Sequence, residues 1–76
     1  MIEKIVHYVK DNKLKIKYFD NNLNIDNYDE ILEVKDDLIT FTKDNKIILI
    51  RGEKLRLSKL LDDEVLIEGI IKKIEL

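Results

Sequence analysis

The chain has 76 residues, 45% of them hydrophobic and 39% charged, with no cysteine and a net charge of -2. Its length allows one domain with a thin core, and its finely mixed apolar and charged residues exclude a disordered tail. The absence of cysteine excludes disulfides and thiolate-bound metals, and the charge balance gives no general attraction to nucleic acid or anionic lipid. We therefore expect a single domain over residues 1–76, stabilised by packing and by self-association.

The beginning of the chain predicts a cytoplasmic protein. Met1 is followed directly by Ile2, Glu3 and Lys4, which do not form the apolar segment of a secretory signal. The longest apolar run covers residues 47–50 and is much shorter than a membrane helix requires.

The first predicted element, at residues 2–9, has two interpretations. Apolar residues at positions 2, 5, 6 and 9 have the spacing of one helix face. The same residues are mostly β-branched, which favours a strand, and we prefer the strand.

Beyond this segment, alternating apolar and polar residues predict half-buried strands. Apolar residues alternate with lysines over residues 13–18, and with polar residues over 32–35 and 39–42. Ile, Leu and Val dominate, and Ala and Pro are absent, which favours sheet over helix. Turn-forming residues separate these runs about every eight to ten residues. The predicted turns are Asp11-Asn12, Asp20-Asn21-Asn22, Asp26-Asn27, Asp36-Asp37, Asp44-Asn45, Gly52 and Asp62-Asp63.

This rhythm predicts an all-β fold. We expect an antiparallel meander of about seven or eight short strands, arranged as a two-layer sandwich or a compact barrel. Residues 11–16 are echoed by residues 20–25, so a short β-solenoid is the alternative.

Two stretches, residues 47–50 and 65–71, are apolar on both faces of a strand. A small domain has difficulty covering both faces of two strands, so one face is either sandwiched internally or covered by another subunit. We therefore predict a homo-oligomer and an interaction surface. The candidate surface residues are Ile48, Ile50, Arg51, Arg56, Leu66, Ile70 and Ile71.

Catalysis and cofactor binding are not indicated. The chain has one serine, Ser58, and one histidine, His7, and nothing around Ser58 resembles a nucleophile elbow. Residues 20–24 resemble the start of a calcium loop, but Ile25 and Ile31 occupy the positions where glycine and glutamate are required. With two glycines the chain lacks a phosphate-binding loop. We predict no enzyme activity, no metal, no cofactor and no small-molecule substrate.

A nucleic-acid interface is the alternative function. Lys13, Lys15 and Lys17 alternate along one predicted strand next to Tyr18 and Phe19, as in small barrels that bind single strands. A second basic cluster contains Arg51, Lys54, Arg56 and Lys59, interrupted by Glu53. We favour a solvated strand face that discourages edge aggregation, because the net charge is negative.

A family resemblance is carried by the C-terminal half. Residues 48–60 read ILIRGEKLRLSKL, a strand ending in a basic residue and Gly52, then Leu-x-Leu and a further Leu. Residues 65–74 read VLIEGIIKKI, a strand, Gly69 and a last strand. This pattern resembles the YabP/YqfC family of sporulation proteins, over roughly residues 14–76. Gly52 is interpreted as supplying an unusual backbone shape, and Gly69 as marking a bulge or close approach.

The resemblance implies a small non-catalytic protein needed for spore formation, acting on the mother-cell side of the developing spore. Some family members resemble partners of a membrane protein, so it implies an adaptor or assembly subunit. The family has no known catalytic residues, and none is transferred to this chain.

Overall fold

The computed structural model describes residues 13–76, and all regular secondary structure within them is β-strand. The strands are β1 (Lys15–Phe19), β2 (Asn22–Asp26), β3 (Glu30–Val34), β4 (Leu38–Lys43), β5 (Lys46–Leu60) and β6 (Glu64–Glu75). Every pair is antiparallel, and together they form one open sheet in the order β1-β2-β6-β5-β4-β3. Residues 13–76 contain no helix that could span a membrane.

The predicted all-β antiparallel meander is confirmed for this region. The described residues contain six strands, so the predicted seven or eight are not confirmed. One expected strand, at residues 2–9, lies outside them, and the expected division at Gly52 falls within one continuous strand, β5. They form one open sheet, so the two-layer sandwich and the closed barrel are not confirmed. The choice between strand and helix for residues 2–9 lies outside the described region.

Two hairpin turns follow directly from Asp-Asn pairs. Asp20 and Asn21 connect β1 to β2 with φ values of 49° and 60°, and Asp44 and Asn45 connect β4 to β5 with φ values of 52° and 64°. Two-residue loops with positive φ at both positions are type I′ turns, whose twist matches that of the strands they join. Asp and Asn tolerate this backbone region better than other non-glycine residues.

The long hairpin formed by β5 and β6 organises the sheet. Of the residues of this hairpin, β4 pairs only with residues 46–51 in β5, and β2 pairs only with residues 64–68 in β6. The hairpin therefore carries two arms. The β2 arm comprises β1, β2, residues 64–68 and residues 56–60, and the β4 arm comprises β3, β4, residues 46–51 and residues 70–75.

A bend between the arms is built around the two glycines. The β5–β6 ladder shifts register between Arg51 and Gly52 and again between Glu53 and Arg56. A Cβ at Gly52 would overlap the carbonyl oxygen of Ile70. Gly69 has a φ of +136°, and a Cβ there would lie 2.6 Å from the carbonyl oxygen of Lys54. The two strands thus approach more closely than side chains allow.

Backbone hydrogen bonds from neighbouring turns hold the bend in place. The Gly52 amide donates to the Asp37 carbonyl over 3.2 Å, and the Leu55 amide donates to the Asp36 carbonyl over 2.8 Å. On the other side, the Gly69 amide donates to the Asn21 carbonyl over 3.2 Å. The predicted turns at 20–21 and 36–37 therefore also satisfy backbone groups freed by the bend.

The bend brings the apolar faces of both arms into one core. Tyr28 lies in the connection between β2 and β3, and its ring meets that of Phe41 edge-on, with centroids 6.3 Å apart. Each fully buried aliphatic or aromatic side chain stabilises the fold by about 1.5–3 kcal/mol. The buried cluster consists of Leu23, Ile25, Tyr28, Ile39, Phe41, Ile48, Ile50, Leu55, Val65 and Ile67.

Candidate interaction surface

Two of the predicted surface residues belong to the core. Ile48 and Ile50 are 3% and 0% exposed, because strand alternation points both toward the buried face. Their neighbours Ile47 and Leu49 occupy the opposite face, where Ile47 is exposed. A partner therefore cannot reach Ile48 or Ile50 without unfolding the β4 arm, which removes these two residues from the candidate surface.

The two predicted arginines are exposed and make ion pairs across the β5–β6 hairpin. Arg51 Nε lies 2.7 Å from Glu75 Oε1, and Arg56 Nη2 lies 2.5 Å from Glu68 Oε1. The hydrogen bond from Arg51 holds the pKa of the Glu75 carboxyl below its ordinary value. Solvent screens exposed pairs of this kind, so they orient the hairpin more than they stabilise it.

Leu66 is half-buried on the outer face of the β2 arm. It pairs in register with Asn24 of β2 and with Lys59 of β5. The Oδ1 atom of Asn24 is buried and has no hydrogen-bond partner. Leu66 thus lies opposite a polar residue of its own sheet and, being half-buried, offers only part of its surface to a partner.

Ile70 and Ile71 lie where β6 continues past its pairing with β2. Ile70 is 46% exposed, while Ile71 is half-buried and packs against the core. Within residues 13–76, residues 70–75 pair with β5 alone, so the other side of this segment is an open edge. Ile74, 36% exposed, extends the apolar character of that edge.

A groove that the sequence interpretation missed lies elsewhere, between the β2–β3 connection and the β5–β6 turn. Its volume is about 510 Å³, and its residues are Tyr28, Asp29, Glu30, Ile31, Leu60, Leu61 and Asp62. Leu60 and Leu61 are 57% and 48% exposed. The sequence signal for this groove is the apolar pair Leu60 and Leu61, which directly precedes the acidic turn at residues 62–63. A turn exposed to solvent has no need of apolar residues, so the pair indicates a surface for binding.

The residues of the nucleic-acid alternative divide between two faces of β1. Tyr18 pairs in register with buried Leu23, whereas Lys17 and Phe19 point away from the core. The Tyr18 hydroxyl donates to Asn21 Oδ1 over 3.2 Å. Lys15 pairs in register with Asp26, which reduces the positive charge of that face. The predicted combination of lysines with the Tyr18 ring is therefore not assembled on one face.

Ser58 is exposed on β5, and its hydroxyl donates to the Leu66 carbonyl over 3.3 Å. His7, the other half of the disfavoured Ser-His pair, lies outside the described region. Among residues 13–76 no three Asp, Glu, His or Cys side chains are grouped closely enough to hold a metal ion.

Comparisons with family models, with curated proteins and with solved structures give no match for this chain. The YabP/YqfC resemblance therefore depends on the residue pattern of this chain alone.

Proposed function

We propose that the chain is a non-catalytic interaction module that self-associates through the open edge of β6. The observation that carries this proposal is at residues 70–75, where exposed apolar side chains lie beside a backbone edge that pairs with no further strand among residues 13–76. Ile70 and Ile74 present apolar surface there, next to amide and carbonyl groups that no strand of the described region uses. An edge of this kind is a template for adding a strand from another chain.

The charges along the edge permit such pairing. Lys72 and Lys73 are balanced within the chain by Glu53 and Glu75, with nitrogen–oxygen distances of 2.7 and 3.6 Å. Natural sheets commonly protect an edge with lysines, a bulge or a covering loop. Here the lysines are already paired and therefore repel a second copy less than isolated lysines would.

The YabP/YqfC resemblance supports a cellular setting for the module. In that setting it would serve spore formation on the mother-cell side, and the same edge would dock a membrane-associated protein. The predicted candidates Ile70 and Ile71 fall within the open edge, whereas Arg51 and Arg56 lie on the hairpin beside it.

Charge substitutions at the edge test the proposal. Ile70→Lys adds charge at an exposed apolar position and should shift the protein toward monomer in light scattering. Ile47→Lys is the matched control, since Ile47 is 54% exposed but lies on β5, away from the β6 edge, where it pairs with Thr42 of β4. Equal solution masses for wild type and both variants, all folded by circular dichroism, would remove the β6 edge as the interface.

A further inference from the structure

We propose that the groove between the β2–β3 connection and the β5–β6 turn binds an extended segment of a partner protein, in which an apolar side chain is flanked by Lys or Arg. This site is separate from the open edge of β6, and it stands whether or not the chain self-associates.

The floor of the groove is apolar and accessible. Leu60 and Leu61 are about half exposed at the end of β5, and Ile31 is half-buried on the facing strand. Tyr28, which is buried, also lines the groove. A volume of about 510 Å³ is in the range that holds a few side chains of a bound peptide.

The walls of the groove are fixed by hydrogen bonds. The Tyr28 hydroxyl donates to the Leu61 carbonyl over 2.9 Å, and the Asn27 amide donates to the Asp63 carbonyl over 2.6 Å. The Leu61 amide donates to the Glu64 carbonyl over 2.8 Å, which sets the β5–β6 turn. The exposed leucines are therefore held in position before any partner arrives, which lowers the entropy cost of binding.

The rim of the groove is acidic. Asp29, Glu30 and Asp62 contribute to its lining, and no basic side chain does. Asp29 is partly engaged, since its Oδ2 accepts from the Asp44 amide over 2.8 Å. Within residues 13–76 neither Glu30 nor Asp62 forms an ion pair.

The pKa of Tyr28 is affected by the negative charge around the groove. Burial raises the pKa of its hydroxyl, and the carboxylates of Asp62 and Asp63 raise it further. Because the whole chain carries a net charge of only -2, this acidity is local to the groove. Charge complementarity therefore selects a basic occupant and disfavours an acidic one.

The backbone around the groove suits an extended occupant. In the described region, residues 56–60 of β5 pair with β6 alone, and β3 pairs with β4 alone. Two open strand edges thus flank the apolar floor. A peptide strand can hydrogen-bond to either edge, place its apolar side chain on Leu60 and Leu61, and direct its neighbouring cations to Glu30 and Asp62.

The test is fluorescence anisotropy with a short fluorescein-labelled peptide in which lysines alternate with leucine and phenylalanine. A peptide with glutamate at every lysine position is the ligand control. We expect saturable binding of the lysine peptide, weakening as salt rises, and none of the glutamate peptide.

Protein variants then locate the binding site. Two double variants should each lower the affinity for the lysine peptide by about tenfold or more. One combines Glu30→Lys with Asp62→Lys, and the other combines Leu60→Ser with Leu61→Ser. Asp37→Lys and Ile47→Ser are matched controls outside the groove and should bind like wild type. All four groove residues substituted are exposed, so the variants should remain folded, as circular dichroism would verify.

Three outcomes would overturn the proposal. One is equal affinity of the lysine peptide for groove variants and control variants. Another is that the lysine peptide does not bind at low salt. The third is a loss of self-association in the groove variants without any peptide binding, which would assign the groove to a second copy of the chain.

Discussion

Gly52 packs directly against the main-chain carbonyl of Ile70, at the position where the β5–β6 hairpin bends. A Cβ at position 52 would overlap the Ile70 oxygen, and the same Cβ would lie 3.0 Å from a methyl group of Leu55. Because the first obstacle is backbone, a side-chain rotation cannot relieve it. This contact lets one hairpin contribute to both arms and enclose a single core.

Gly52→Ala and Gly69→Ala should therefore destabilise the fold. At Gly69 there are two reasons for the loss of stability. Its φ of +136° is unfavourable for other residues, and an added Cβ would lie 2.6 Å from the Lys54 carbonyl oxygen. We expect each substitution to lower the free energy of unfolding by about 1–3 kcal/mol. Urea denaturation measures this, with Lys59→Ala as an exposed control on the same hairpin that should change it by less than about 0.5 kcal/mol. Unchanged midpoints for both glycine variants would contradict the bend described here.

Phe41→Ala should strongly lower the melting temperature, whereas Phe19→Ala should have little effect. Phe41 is fully buried against Tyr28, while Phe19 is 57% exposed on the edge strand β1. Removing a buried phenylalanine costs about 3–5 kcal/mol, a large part of the stability of a domain of this size. Because these are the two phenylalanines of the chain, they form a matched pair for thermal unfolding. Similar melting temperatures would contradict the position of the core.

Tyr28→Phe should lower stability at neutral pH by about 0.5–1.5 kcal/mol, because the Leu61 carbonyl loses its donor. Tyr18→Phe is the control, since the Tyr18 hydroxyl bonds to the exposed Asn21 side chain.

The contribution of Tyr28 to stability should change at alkaline pH. Burial, with Asp62 and Asp63, raises the folded-state pKa of Tyr28 above its ordinary value of 10.0. The protonated hydroxyl therefore stabilises the fold fully below pH 10.0, and this contribution is lost as pH rises through the raised pKa. The difference in stability between wild type and Tyr28→Phe should accordingly shrink or reverse at high pH. A difference independent of pH across that range would contradict the assignment.

Arg51→Gln should move the pKa of the Glu75 carboxyl upward. The hydrogen bond from Arg51 is the main cause of the lowered value, with a smaller contribution from Lys73. A carbon-detected NMR titration of the Glu75 carboxyl measures the shift directly. Arg56→Gln, which removes the partner of Glu68 instead, should leave Glu75 unchanged. If Arg51→Gln has no effect on the titration of Glu75, the pair does not persist in solution.

The strands and turns were accessible from sequence because their signals are local. Alternation over residues 13–18 and 39–42 coincides with β1 and β4, and the Asp-Asn pairs at 20–21 and 44–45 form the turns between strands. These patterns depend on neighbouring residues, which a sequence displays. The pairing of β2 with β6 is not of this kind, because it joins residues about 40 positions apart and depends on the bend.

The candidate surface was harder to predict for a related reason. A run such as residues 47–50 is apolar at every position, so it does not reveal which alternate pair faces the core. The structure places Ile48 and Ile50 inside and leaves Ile47 exposed. The sequence indicates residues 70 and 71 as surface but not as part of an open strand edge. That edge exists because β2 is short and pairs only with residues 64–68 of β6. The groove beside Leu60 and Leu61 forms because the β2–β3 connection lies next to the β5–β6 turn. A pattern of neighbouring residues in the sequence does not show that these two segments meet.

The most direct test of the central claim is the solution mass of the wild-type protein, measured by light scattering over a dilution series. Self-association through the edge of β6 predicts a mass of at least twice the 9.1 kDa of one chain at high concentration, falling toward 9.1 kDa on dilution. A mass of 9.1 kDa at every concentration would contradict the proposal that the chain is a self-associating module.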